Sequence, residues 1–223
     1  MKIAQYGTGH GHASGKMQSL RTNSHVEVAG VYEPDPDRRA AAQDQEAFAD
    51  LHWFDSETQL LEADEIVAVA AEGSNDESLE QARSLISAGK HVWYDKPAGN
   101  NWELWQEVVA SAKEQQLQIQ SGYMFRYHPG FCRISEWTHS HLLGDLFSVR
   151  AHMSTSVAVK DRERMSQFEG GVLFDLCGHV LDQVLWLVGE RPKSVTTFLR
   201  NCHIISGNRI GCKKSGVSCG SGS

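Results

Sequence analysis

Lys2-Ile3-Ala4-Gln5-Tyr6-Gly7-Thr8-Gly9-His10-Gly11-His12 is the stretch whose reading decides the fold. A strand-like run enters a glycine-rich turn, and a helical pattern over residues 12–20 leaves it. Gly7 would allow the tight turn. Gly9 would let the backbone approach a pyrophosphate, which the positive end of a helix favours. The third glycine of the dinucleotide fingerprint is His12 here, and Gly11 stands one residue early, so a shifted helix start is expected. The acid expected at the end of the second strand is Glu33, in Val31-Tyr32-Glu33-Pro34-Asp35. A carboxylate there accepts from a ribose 2′-hydroxyl and repels a 2′-phosphate, which favours NAD; Arg38 and Arg39 keep NADP open. Gly7, Thr8, Gly9, His10 and Glu33 are therefore candidate cofactor contacts. The bland alternative is a helix-capping turn followed by a surface glutamate.

Outward from this stretch, strand patterns recur at residues 26–32, 66–70, 91–94 and 117–122. Helical patterns lie between them at 37–44, 78–88 and 103–114, with Gly89 placed as a C-cap glycine. Strands alternating with helices predict an α/β fold, a Rossmann doubly wound parallel sheet over residues 1–122. Beyond it the rhythm changes. A helix over 130–140, a strand over 146–153, a second helix and a strand over 194–199 predict an incomplete α+β second domain, residues 123–200. Residues 201–223 are rich in glycine and serine and read as an atypical, disordered tail. Cys202, His203, Cys212 and Cys219 fall there but lack paired C-x-x-C spacing, so no zinc site is assigned.

Composition narrows the classes. The 223 residues carry a formal net charge of −7, without a basic block suited to nucleic acid. No apolar run is long enough for a bilayer. A chain that opens directly on a strand, with five cysteines in no framework spacing, is expected in the cytoplasm.

A helix-sized segment, Gly170-Gly171-Val172-Leu173-Phe174-Asp175-Leu176-Cys177-Gly178-His179-Val180-Leu181-Asp182, carries the chemistry. Asp175, His179 and Asp182 stand at i, i+4 and i+7, one face of an otherwise apolar helix. Buried ionisable groups are costly unless paired or used, so the stripe reads either as a site or as bracing inside a core. A lysine, Lys96, follows the 91–94 strand in Tyr94-Asp95-Lys96-Pro97, where it would stabilise charge developing on a substrate oxygen. His10 and His12 suggest a metal but have no third ligand nearby in sequence, so none is assigned.

In order, the glycine turn, the Glu33 strand, Asp95-Lys96-Pro97 and the Gly-Gly…Asp175…Gly178-His179 helix resemble the Gfo/Idh/MocA oxidoreductases, over roughly residues 1–200. The resemblance implies that Asp95, Lys96 and Pro97 match the family's Glu-Lys-Pro motif, with Lys96 the catalytic lysine. It implies that Asp175 is a substrate carboxylate and His179 the acid/base. The family's Thr-Pro-Asn loop falls on Gly73, Ser74 and Asn75, of which only Asn75 is retained for cofactor contact. Arg126 and Tyr127, in a segment like the family's domain-crossing one, would line the sugar pocket. The implied reaction is hydride transfer between NAD and a secondary alcohol of a sugar or polyol. Two rivals are a glycosidase or eliminase using NAD transiently, and a non-catalytic nucleotide-binding module. The resemblance also implies a chain cut within its second-domain sheet, through which family members associate.

Overall fold

The computed structural model describes residues 1–154, 156–158, 162–163, 165–166, 170–171, 173–198, 200–205 and 209–214, the last two segments by backbone alone. Five parallel strands, β1 (Lys2–Tyr6), β2 (Glu27–Tyr32), β3 (Ile66–Ala71), β4 (His91–Tyr94) and β5 (Ile119–Ser121), form one sheet in the order β2-β1-β3-β4-β5. The chain runs from β1 to one neighbour and then crosses to the other, β3. The carboxyl ends of β1 and β3 therefore flank a topological switch point, where such sheets take ligands. Trp53 adds a single parallel bridge to Val31 at the outer edge of β2.

Helices α1 (Ala13–Thr22), α2 (Pro36–Gln43), α3 (Glu57–Leu61), α4 (Ser78–Ser87) and α5 (Trp102–Glu114) connect and cover the strands. A sheet covered on both faces needs strands apolar on both sides. β3, Ile66-Val67-Ala68-Val69-Ala70-Ala71, meets that demand, and its last three residues are fully buried. Leu79, Ala82, Leu85 and Ile86 of α4 share a cluster with Val69, Val92, Tyr94 and the α5 residues Leu104 and Val108. Ala13 and Met17 of α1 join a separate cluster with Val31, Ala42 and Phe48. Gly89 closes α4 as expected, at φ +74°, and the amides of Gly89 and Lys90 turn back to the carbonyls of Ile86 and Leu85.

After β5 come a short turn of helix at Met124–Tyr127 and α6 (Pro129–His139). A π-helical turn, Leu173–Cys177, then runs into α7 (Gly178–Val188). Three expectations need correction here. Residues 146–153 form no strand, and they have no neighbouring strand among the described residues to take their backbone bonds. Residues 194–198 are also irregular, and the strand begins at Arg200. The expected disordered tail contains an antiparallel pair, β6 (Arg200–Ile205) with β7 (Arg209–Lys214), in which Cys202 stands opposite Cys212. By contacts the chain forms two compact units, Met1–Leu187 and the segment from Val188 onward that holds β6 and β7. Among the described residues no helix is long and apolar enough to cross a membrane.

Candidate functional site

The glycine turn is stitched to both neighbouring strands. Gly7 N–H donates to Tyr32 O at 2.7 Å, and His10 N–H donates to Glu72 O at 2.9 Å. Gly7 sits at φ +88°, and a Cβ there would come within 2.6 Å of the Gly73 backbone nitrogen, so only glycine fits. The helix start is shifted as expected: α1 begins at Ala13, and its N-cap, His12, makes no side-chain cap bond. Among the described residues the N–H groups of Gly9 and Gly11 donate to nothing. Open amides at a helix N-terminus are suited to a pyrophosphate.

Glu33 lies where the reading places it, but its oxygens are already engaged. Its Oε2 accepts from the Thr8 N–H at 2.6 Å and the Thr8 hydroxyl at 2.8 Å. Its Oε1 accepts from Asp35 N–H at 2.9 Å and Arg38 Nε at 3.2 Å. A ribose hydroxyl would have to displace one of these donors. Arg38 in turn makes two 3.0 Å bonds to Glu77. A Cβ on Gly9 would come within 2.5 Å of the Arg38 guanidinium, so this arm closes over the turn.

Successive residues leaving β4 point to opposite sides. Asp95 turns toward α1, where its Oδ2 lies 3.1 Å from His12 Nδ1, 3.2 Å from Lys16 Nζ and 3.7 Å from His10 Nδ1. Lys16 also pairs with the fully buried Glu72 and lies over the Trp93 ring. Burial works against the Asp95 charge. The His12 hydrogen bond and the charges of Lys16 and His10 outweigh it and hold this carboxyl well below the usual carboxylate range. The same bond raises the His12 pKa. The third metal-type donor missing from the local sequence thus arrives from the end of β4.

Lys96 turns the other way. Its Nζ donates to Asp175 Oδ1 at 2.8 Å and to Asp175 O at 3.1 Å, and both side chains are buried. Asn75 Nδ2 donates to the same Oδ1 at 3.2 Å. The Thr-Pro-Asn-like loop therefore meets the helix motif at Asp175. The sequence places Asp175 where it would hold a substrate hydroxyl or orient His179; in the fold its carboxylate accepts from Lys96 and Asn75. Asp175 lies in the π turn, not in a continuous α-helix.

His179 is buried, and among the described residues its Nδ1 has no hydrogen-bond partner. Tyr123 and Phe125 flank its ring at 6.1 and 5.3 Å between centroids. Burial, and then the Lys96 ammonium, push its pKa below the ordinary imidazole value. It faces a cavity of about 350 Å³ lined by Phe125, Phe131, His152 and Gln183. Tyr123 and Phe125 escaped the sequence reading because aromatic residues after a strand carry no signature beyond core packing.

Arg126 and Tyr127 do not line that cavity. Arg126 makes a bidentate pair with Asp182 at 2.7–3.0 Å, and Tyr127 is exposed. Both border a separate opening with Gln118 and Gln120. Asp182 thus serves as the anchor for Arg126, and Arg126 is committed to it.

A five-stranded doubly wound sheet, an open-amide glycine turn at its switch point and a buried Lys–Asp pair at the end of β4 define a dinucleotide-binding α/β protein. Residues 1–123 match the oxidoreductase family with an NAD-binding Rossmann fold, and residues 131–207 match the GFO/IDH/MocA C-terminal domain. The chain belongs to the GFO/IDH/MocA oxidoreductase family. It is 24% identical over 176 residues to the rhizopine catabolism protein MocA of Rhizobium meliloti, covering 79% of this chain and 54% of that protein. It is 24% identical over 145 residues to an inositol 2-dehydrogenase/D-chiro-inositol 3-dehydrogenase of Halalkalibacterium halodurans, covering 64% and 40%. Among solved structures, scyllo-inositol dehydrogenase from Lactobacillus casei, with NAD(H) and scyllo-inositol bound, shares the fold at TM-score 0.69 and 21% identity, covering 85% of this chain and 56% of that one. An NAD-binding protein from Listeria innocua aligns at TM-score 0.67 and 27% identity, covering 84% and 54%. The chain spans about half the length of the relatives it matches.

Proposed function

We propose that this chain carries the nucleotide-binding and proton-transfer groups of an NAD-dependent oxidoreductase acting on a secondary alcohol of a sugar or polyol. The observation that carries this reading is the buried Lys96–Asp175 pair with His179 on the adjoining helix, beside the switch point of the sheet. When bound, the nicotinamide supplies the hydride acceptor. The open amides of the Gly7–Thr8–Gly9–His10 turn suit its pyrophosphate, and Glu33 and Arg38 stand at the ribose end.

The remaining chemistry belongs to the chain. His179, kept neutral by burial and by Lys96, takes the hydroxyl proton as the carbon-bound hydrogen leaves with its electron pair, and the alcohol becomes a ketone. Lys96 Nζ donates to the same oxygen and stabilises its developing negative charge. Asp175 fixes the Lys96 ammonium, and Asn75 fixes Asp175. The inositol dehydrogenases among the relatives support a ring polyol as the substrate class.

Titration with NADH and NADPH, followed by nicotinamide fluorescence, tests the cofactor. NAD reduction with a panel of inositols and aldoses, in the parent and in His179→Ala, tests the chemistry. Saturable NADH binding and a polyol-dependent reduction lost in His179→Ala are expected. A folded chain that binds neither nucleotide would sink the reading.

A further inference from the structure

We propose that His10, His12 and Asp95 form a binding site for a divalent transition metal of the zinc class, on the α1 side of the β4 end. This site is separate from the Lys96–Asp175 side and does not depend on the proposed reaction.

The donors come from two segments that the fold brings together. His10 and His12 sit on the glycine turn, and Asp95 follows β4. One donor atom from each lies within 4.8 Å of the other two. Bonds of about 2.0–2.1 Å in a tetrahedral shell place neighbouring donors about 3.3 Å apart. The Asp95 Oδ2 distances of 3.1 Å to His12 Nδ1 and 3.7 Å to His10 Nδ1 bracket that spacing. The third edge closes by rotation of the half-exposed His12 ring, the freest of the three. Two imidazoles and one carboxylate are a zinc-type donor set, and they leave a further position open.

A second observation points the same way. Glu72 is fully buried, and its Oε2 accepts no hydrogen bond among the described residues while lying 3.6 Å from His10 Nδ1. It is a second carboxylate facing the same histidine. Buried carboxylate oxygens are ordinarily satisfied. The local charge also suits a cation. Glu72 and Asp95 contribute two negative charges against the one positive charge of Lys16. Lys16 is the native competitor, because its ammonium already occupies one side of both carboxylates.

The alternation along the strand turns this cluster and the Lys96–Asp175 pair to different sides of the β4 end. Trp93 and Asp95 face Lys16 and His12, whereas Lys96 faces Asp175. A metal here would tie the glycine turn to the strand end from which Lys96 projects.

The test is a Co²⁺ titration of the tag-free, metal-stripped 223-residue protein, read by visible d–d absorption, with Zn²⁺ competition. One equivalent of Co²⁺ with the absorption of a low-coordinate site, displaced by Zn²⁺, is expected. His12→Ala should weaken uptake at least tenfold; the half-exposed ring makes this variant safe for folding. Lys16→Met should tighten uptake by removing the competing ammonium. No saturable uptake by the parent protein would overturn the proposal. So would uptake unchanged in His12→Ala, which would place the metal on other residues such as the C-terminal cysteines.

Discussion

Replacing Lys96 by methionine tests the site and its energetics together. The Lys96 and Asp175 side chains are only 8% and 9% exposed, at 2.8 Å. Removing one member of such a pair leaves a buried charge without its counter-ion, which costs about 3–5 kcal/mol. Asn75 Nδ2 still donates to Asp175 Oδ1 at 3.2 Å and offsets about 1 kcal/mol of that loss. A net destabilisation of about 2–4 kcal/mol is expected. Urea unfolding followed by tryptophan fluorescence would measure it. Adding Asp175→Asn to Lys96→Met removes the stranded charge and should restore part of the stability, giving a coupling energy of at least about 1 kcal/mol in the double-mutant cycle. Hydride transfer should fall by about 10²–10³ in Lys96→Met, since the donor to the developing oxyanion is gone. Lys96→Met within about 0.5 kcal/mol of the parent, or strictly additive substitutions, would refute the buried pair as described.

Other consequences follow from the same geometry. His179 is held below its ordinary pKa, so it protonates only at lower pH. The rate of alcohol oxidation should therefore fall as pH drops through a value below 6.5, and a parent pH profile flat across that range would contradict His179 as the base. Gly9→Ala would push a methyl against Arg38 and against Ser74 N at 3.0 Å. NADH binding should weaken at least tenfold, because the methyl stands where the backbone would approach the pyrophosphate. Gly7→Ala meets the Gly73 backbone at 2.6 Å with φ +88° and should cost about 1–3 kcal/mol in urea unfolding; an unchanged midpoint would contradict the turn geometry. Asp35 caps α2 by accepting from Asp37 N–H and Arg38 N–H at 2.9 Å, so Asp35→Ala should lose about 1 kcal/mol, measured in the same way.

Much of the fold was legible because local signals and tertiary demands agree. β1 and β4 fall on the strands read from sequence, and α4 ends at Gly89 where a left-handed residue was needed. The doubly wound sheet follows from strands apolar on both faces alternating with amphipathic helices, a pattern set residue by residue. Legibility failed where a strand depends on a partner. Residues 146–153 alternate like a strand yet remain unpaired among the described residues. The segments 200–205 and 209–214 lack a clear period yet pair. Hydrogen-bond ladders are properties of two segments, and one segment's pattern cannot supply the other.

The site divides along the same line. Sequence by itself singled out the residues proposed to carry the chemistry: Lys96 after β4, Asp175 and His179 on one apolar segment, and glycines where the backbone must turn tightly. Only the tertiary structure decided their partners. It bound Glu33 to Thr8 and Arg38, joined Asn75 to Asp175, committed Arg126 to Asp182, and brought Asp95 to His10 and His12. Residue type and spacing fix the charge and reach of a side chain. The identity of its nearest donor or acceptor depends on segments up to 100 positions away in sequence, which meet only when burial in a common core makes solvent an unavailable partner.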